Sequence, residues 1–388
     1  MHKLLLNILS FCLCIYIFFT TFAVASMAGI YIHIPFCKSR CRYCDFFSTT
    51  QLEKREAYIH ALIHEWQTYQ PLWSKQEIRT IYLGGGTPSL LPIECLRLLL
   101  HSILSSINPT TIQEVTLEAN PGDITPQNIQ AWRAMGINRL SMGVQSFNDS
   151  LLQLVGRRHT AQQAIQAVQT AQAEGITNIS IDLMYALPGQ TMADWQADID
   201  QALALQVPHI SSYGLIYEEG TPLTQWLEQG KITAIDEDNE MQMYDYLVEQ
   251  LTQHGYEHYE VSNFALPRQH SKHNSSYWND TPYLGLGAGA HSYDGTMRWW
   301  NIDDLDQYIA QAMSHQLTPE HETITPQERH TEQVMLGLRT SKGVPCTAVN
   351  IDKAQTYLEE GYLRQQGDHI MATTQGFHIL NRIIEDLV

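Results

Sequence analysis

Cys37-Lys38-Ser39-Arg40-Cys41-Arg42-Tyr43-Cys44 places three thiols at C-x3-C-x2-C spacing. Thiolates so spaced hold iron or zinc, and their number decides which chemistry is open to them. A structural zinc site closes on four ligands, and no fourth Cys or His follows Cys44 at matching local spacing. A four-iron four-sulfur (4Fe-4S) cube held by only three thiolates keeps one iron open. That iron can chelate the amino and carboxylate groups of S-adenosylmethionine (SAM). An electron from the reduced cluster then cleaves the sulfonium C–S bond to give a 5'-deoxyadenosyl radical. Cys37, Cys41 and Cys44 are therefore expected to ligate iron.

Such a cluster needs a scaffold that brings further polar groups to it. From Gly29 to about Glu219, short β-branched runs alternate with helical patterns, which predicts βα units and a parallel sheet. Strands are expected at Ile30–Ile34, Arg79–Leu83, Glu114–Glu118, Arg139–Gly143, Asn178–Leu183 and His209–Leu215. Crossover helices are expected at Glu56–Thr68, Leu96–Ile107, Pro126–Met135, Ala161–Ala173 and Met192–Leu205. The strands run into unusual turns: Pro35-Phe36-Cys37, Gly84-Gly85-Gly86-Thr87-Pro88, Ala119-Asn120-Pro121-Gly122, Val144-Gln145-Ser146-Phe147 and Tyr185-Ala186-Leu187-Pro188-Gly189. In a parallel α/β barrel the loops after the strands build the active site, so these turns converge on one face. The fold class is α/β, a partial (β/α)6 TIM-like barrel spanning 28–225. A doubly wound nucleotide fold would want a single glycine fingerprint at its first turn. A polar, aromatic-rich connection fills 226–313, and Gly285 to Ser292 reads there as a loop closing the barrel mouth. Residues 314–388 read as a small α+β, winged-helix-like domain, with a hairpin at Gln366-Gly367-Asp368 and a closing helix from Phe377 to Leu387.

Composition narrows the partners. Lys and Arg number 23 against 41 Asp and Glu, for a net charge of -18. No dense basic stripe offers counterion release, so nucleic acid is not expected, the C-terminal domain included. The remaining cysteines, Cys12, Cys14, Cys95 and Cys346, do not form a secreted disulfide framework. A thiolate-held cluster needs reducing surroundings, which points to the cytoplasm. Residues 1–26 pull the other way. Lys3, the apolar run Leu4 to Ala25 and the closing Ala23-Val24-Ala25 satisfy a signal-peptide pattern. Translation from Met27 would remove this leader. A retained leader would give membrane association, with Lys38, Arg40 and Arg42 holding the body on the cytoplasmic side, or else export.

Tyr31-Ile32-His33-Ile34-Pro35-Phe36-Cys37 through Asp45, the Gly84–Pro88 loop and the later strand-end turns resemble radical SAM proteins of the coproporphyrinogen dehydrogenase-like group. Within it, the chain is most similar to the HemW-type heme chaperones. The likeness spans most of 28–388 and implies a barrel of the radical SAM type carrying a 4Fe-4S cluster and SAM. It also implies an electron donor for that cluster, together with heme and a heme-acceptor protein as partners. It gives Gly85, Gly86 and Thr87 the methionine end of the cofactor, where glycine lets backbone approach closely. A tight structural turn is the plain alternative for that loop. The resemblance gives the same cofactor Glu118, Gln145, Arg157 and Asp182, whose carboxylates and amide suit ribose hydroxyls and whose guanidinium suits the cofactor carboxylate. Each could instead be a barrel salt-bridge partner. Tyr31 and Tyr43 would flank cluster and adenine, or simply pack. His273-Asn274-Ser275-Ser276-Tyr277-Trp278 forms H-N-x-x-Y-W, which in HemW-like proteins is associated with heme. His273 is thus a candidate heme ligand, an ordinary aromatic cluster being the alternative, and His291 a lesser candidate. The resembled dehydrogenase extends its motif to a fourth cysteine, C-x3-C-x2-C-x-C, where this chain has Phe46. That difference favours heme handling over oxidative decarboxylation of coproporphyrinogen.

Overall fold

The computed structural model describes residues 27–388, and the signal-like leader lies outside them. The strands are β1 (Met27–Ile34), β2 (Glu77–Gly85), β3 (Glu114–Ala119), β4 (Arg139–Gln145), β5 (Ile179–Tyr185) and β6 (His209–Gly214). They pair in parallel in chain order. Along them, residues facing the helices are apolar and buried, as in Ile30, Ile32, Ile81, Leu83, Val115 and Leu117. Their neighbours on the other face are polar: Tyr31, Thr80, Tyr82, Glu114, Thr116 and Glu118. A sheet covered on both faces by helices would be apolar on both; this alternation marks an inner wall that surrounds polar space. The connecting helices include Pro126–Ala134, Ala161–Ala173 and Met192–Ala204, whose first turns are capped by Thr125, Thr160 and Thr191. Their buried faces and the outer face of the sheet form one hydrophobic core.

The sheet extends further than the six expected strands. It carries a hairpin of β7 (Glu257–Glu260) and β8 (Asn263–Ala265) antiparallel to β6. On its other edge β9 (Tyr283–Leu286) pairs in parallel with β1, and β10 (His291–Tyr293), β11 (Met297–Trp300) and β12 (Glu320–Thr323) follow in antiparallel. The expectation of a mouth-closing loop from Gly285 to Ser292 is thus corrected. Its first two residues belong to β9, beside β1, and its last two to β10. Periodicity could not show this, because a four-residue strand is too short to carry a pattern.

The stretch between β9 and β10 is held by Glu65, a fully buried carboxyl on the helix Arg55–Trp73. Glu65 accepts hydrogen bonds from Gly287 N (2.8 Å), Asn301 Nδ2 (2.6 Å) and Tyr308 Oη (2.5 Å). Burial raises its pKa to about 7, against 4.5 for a free carboxyl, although those three donors pull it down. An acid whose pKa is raised on folding contributes stability that is full below 4.5 and lost as pH rises through about 7. The gap corresponds to about 3 kcal/mol. Glu65→Gln cannot titrate, so its stability deficit relative to wild type should shrink by about that amount between pH 4.5 and pH 8. Urea unfolding of both proteins at the two pH values checks this; a deficit independent of pH would contradict it.

C-terminal to β12, helices Pro326–Leu338, Ile351–Glu359 and Leu380–Leu387 surround a three-stranded antiparallel sheet of Val344–Pro345, His369–Ala372 and Leu363–Gln366. These elements share a hydrophobic cluster of their own. Chain reversal falls at Gly367-Asp368, and the expected closing helix is split at Ile379 into Thr374–His378 and Leu380–Leu387.

Candidate functional site

At the carboxyl ends of the parallel strands lies a cavity of about 520 Å3. The chain leaves β1 through Pro35 and Phe36 and is tied back at once. Thr49 N donates to Pro35 O (2.7 Å) and Cys37 N to Thr49 O (2.8 Å), so the cysteine segment is a closed loop rooted on the strand. Arg42 clamps its middle. Its Nη1 donates to the carbonyls of Gln153 (2.6 Å) and Leu154 (2.7 Å), the C-terminal end of the helix Asp149–Leu154, where unpaired carbonyls favour a cation. Its guanidinium also stacks 4.8 Å from the centroid of Trp226. Arg42 is a positioning residue, which the sequence reading used only as a topological charge beside the leader.

Cys37, Cys41 and Cys44 all line the cavity. No three His, Cys, Asp or Glu side chains among the described residues converge as for a single metal ion. Cys37 Sγ lies 3.5 Å from Thr87 Oγ1, and Arg157 Nη1 points at Cys41 Sγ at 3.5 Å. Burial pushes the Cys37 and Cys44 thiols up, as expected of cysteines in an apolar wall before a metal replaces their protons.

The glycine loop after β2 lies directly against the cysteine loop. A Cβ on Gly86 would come within 2.8 Å of Pro35 C, and one on Gly85 within 2.5 Å of His33 Cε1. Gly85 also holds φ at +111°, a conformation that other residues rarely adopt. Glu118 fastens this loop from β3, accepting from Gly85 N (3.0 Å) and from Tyr82 Oη (2.8 Å). Burial raises the Glu118 pKa, the two donors opposing. Asp182, on β5, is pushed up to about 7, first by burial and then by the charge of Glu118. At the end of β4 the register slips between Gly143 and Gln145, and Gln145 takes φ +71°, a left-handed backbone that a non-glycine residue holds only under constraint. No sequence signal announces it.

Tyr43, Gly85, Gly86, Thr87, Glu118, Gln145, Arg157 and Asp182 thus line the same cavity as the cysteines. These residues fit a cluster and SAM. Three thiols share one wall, Gly85 and Gly86 line it with bare backbone pressed against His33 and the Pro35–Phe36 backbone, and Arg157 Nε is buried without a partner. When bound, the cluster supplies the electron that breaks the SAM sulfonium bond. The sequence reading also missed Arg158, Tyr213, Leu215 and Ile216, which line the cavity too.

Tyr31 and His273 stand elsewhere. Both line a second cavity of about 430 Å3, walled by Tyr82, the β7–β8 turn and the helix Lys272–Trp278; Glu118 and Tyr213 line both cavities. Tyr31 Oη is engaged with His33 Nδ1 at 3.0 Å. His273 is fully buried, with Nδ1 2.8 Å from Thr80 Oγ1 and Nε2 2.9 Å from Tyr277 Oη. Burial, then the charge of Arg139, lowers its pKa to about 3, so the ring is neutral. Both nitrogens are in use, and no lone pair is presented to a ligand. His291 is exposed and stacks on Trp300, with centroids 5.6 Å apart.

Residues 31–202 match the radical SAM superfamily. The heme chaperone HemW of Lactococcus lactis is 36% identical over 367 residues, covering 92% of this chain and 96% of the relative. HemW of Bacillus subtilis is 37% identical over 322 residues, covering 82% and 85%. The mitochondrial radical S-adenosyl methionine domain-containing protein 1 of Bos taurus is 34% identical over 326 residues, covering 84% and 71%. Among solved structures, coproporphyrinogen III oxidase (HemN) from Escherichia coli superposes with a TM-score of 0.80, covering 93% of this chain and 89% of that one at 23% identity; that likeness establishes the fold. With relatives this similar along nearly its whole length, the chain belongs to the HemW family of radical SAM proteins, with a 4Fe-4S cluster and SAM as its cofactors.

Proposed function

We propose that the chain is a heme chaperone: it binds heme and passes it to an acceptor protein, using its radical SAM centre in support rather than to synthesise porphyrin. The observation that carries this reading is Phe46. It stands two residues past Cys44, where the resembled dehydrogenase has a fourth cysteine, and its side chain is 71% exposed. Relatives at 36% and 37% identity are named heme chaperones. The roles of Cys37, Cys41 and Cys44 toward iron, and of Tyr43, Gly85, Gly86, Thr87, Glu118, Gln145, Arg157 and Asp182 toward SAM, belong to this proposal and rest on their shared cavity. So do the division of the chain at about 225 and 313, an electron donor for the cluster and a cytoplasmic location. None of the described helices is long and apolar enough to cross a membrane.

His273 could ligate heme only after a rearrangement that frees a ring nitrogen from Thr80 or Tyr277, so the chaperone reading does not depend on it. The discriminating experiment is anaerobic reconstitution with iron and sulfide, followed by incubation with SAM, a reductant and coproporphyrinogen III. The expected result is a full cluster and no protoporphyrinogen IX. Turnover to protoporphyrinogen would make the protein a dehydrogenase.

A further inference from the structure

Among the described residues, the two most exposed large apolar side chains are Phe46 at 71% and Ile216 at 69%, and both line the cysteine cavity. Tyr213, 42% exposed, lines it as well. Scattered exposed hydrophobics are ordinary, but the most exposed ones gathered at one cavity mark a surface that a ligand covers. The same lining carries Arg40 and Arg158, in a chain with 23 basic against 41 acidic residues. Arg158 is only 4.0 Å from Asp123 Oδ2, and that carboxyl is already held by Lys38 and Ser89, so the guanidinium keeps donors for another anion. The mouth therefore combines an apolar face with cations, the complement of a flat dianion.

We propose that this mouth is the seat of the heme, and that it recognises the porphyrin by its ring and its two carboxylates rather than by its iron. The macrocycle lies on Phe46 and Ile216, and the propionates reach Arg40 and Arg158. Asp45, next to Phe46, and Glu218, two residues past Ile216, keep the propionates from the apolar side. No histidine lines this cavity, so iron gains no imidazole there. A ring over the mouth also covers bound SAM, so heme slows SAM release. The inference rests on the heme-chaperone reading.

The test titrates the reconstituted full chain with hemin, metal-free protoporphyrin IX and protoporphyrin dimethyl ester, following the Soret band and tryptophan quenching. The two free acids should bind within a few-fold of each other and the diester at least about ten-fold more weakly. Phe46→Asp combined with Ile216→Asp, compared with wild type at equal cluster content by iron analysis, should weaken both acids by at least about ten-fold. Phe46→Ala gives a smaller effect of the same sign, and bound hemin should slow dissociation of labelled SAM. The seat is refuted if hemin binds and metal-free protoporphyrin does not, if the double variant keeps wild-type affinity, or if His273→Ala alone abolishes binding. Wild-type protein that takes up neither ring would instead refute the chaperone reading itself.

Discussion

Cys41→Ser should leave a folded protein without its cluster: after anaerobic reconstitution the visible iron–sulfur absorption and the bound iron should both be lost. Cys41 is one of the three thiols on the cavity wall, and a serine hydroxyl is a poor substitute for a thiolate toward iron. The backbone around it is held independently. Arg42 N donates to Val155 O (3.0 Å), Leu223 N donates to Arg42 O (3.0 Å), and the Arg42 guanidinium binds two further carbonyls. The apo variant should therefore unfold at nearly the wild-type apo temperature, which separates loss of ligation from loss of fold. Cys95→Ser and Cys346→Ser, at cysteines outside this cavity, should retain full iron. Iron analysis and circular dichroism on the four proteins check all of this; a Cys41→Ser protein with normal iron content would remove the site.

Gly85→Ala should damage both stability and SAM binding. The new methyl meets His33 Cε1 at 2.5 Å, and His33 cannot give way easily, being buried with its nitrogens engaged by Tyr31 Oη (3.0 Å) and Phe47 O (2.9 Å). The φ of +111° adds backbone strain. Together these cost about 2–4 kcal/mol. Moving Gly85 also disturbs its N–H contact with Glu118, so SAM affinity should fall at least about ten-fold. Gly136→Ala is the control. Its φ is +93°, but a Cβ there meets nothing within 4 Å, so it should cost only about 1–2 kcal/mol and leave SAM binding intact. Thermal unfolding and equilibrium dialysis with labelled SAM read out both variants. Equal effects of the two substitutions would show that the cradle plays no part.

The site was legible where chemistry and local pattern coincide. Three cysteines after a β-branched run, and strand ends running into Gly84-Gly85-Gly86 and Asn120-Pro121-Gly122, place polar groups on one face because every βα unit points its strand end the same way. Glu118 and Asp182 stand on those strands, but their cofactor role, like that of Arg157 beyond the helix Asp149–Leu154, is what the family resemblance implies. Tyr31 and His273 stand elsewhere. Tyr31 lies three residues before the end of β1 at Ile34 and lines the second cavity, whereas His273 reaches the same wall through contacts with Thr80, 193 residues away in sequence. The position of β9 beside β1 is equally non-local, and the left-handed Gln145 depends on a bulge that only the packed sheet enforces. Arg42 and Arg158 carry no site signal in the sequence because their partners are a helix end and a carboxyl from other units. The exposed Phe46 was noticed for the cysteine it replaces; its place on the rim emerged only from the fold.

Heme hand-over tests the central claim most directly. The reconstituted protein, loaded with one equivalent of heme and separated from excess, is mixed with an apo heme protein whose Soret band is distinct. The account predicts that the chain first retains heme through gel filtration, and that its Soret band is then replaced by the acceptor's at a rate that depends on acceptor concentration. A chain that loses its heme on the column, or keeps it at every acceptor concentration, would contradict the account.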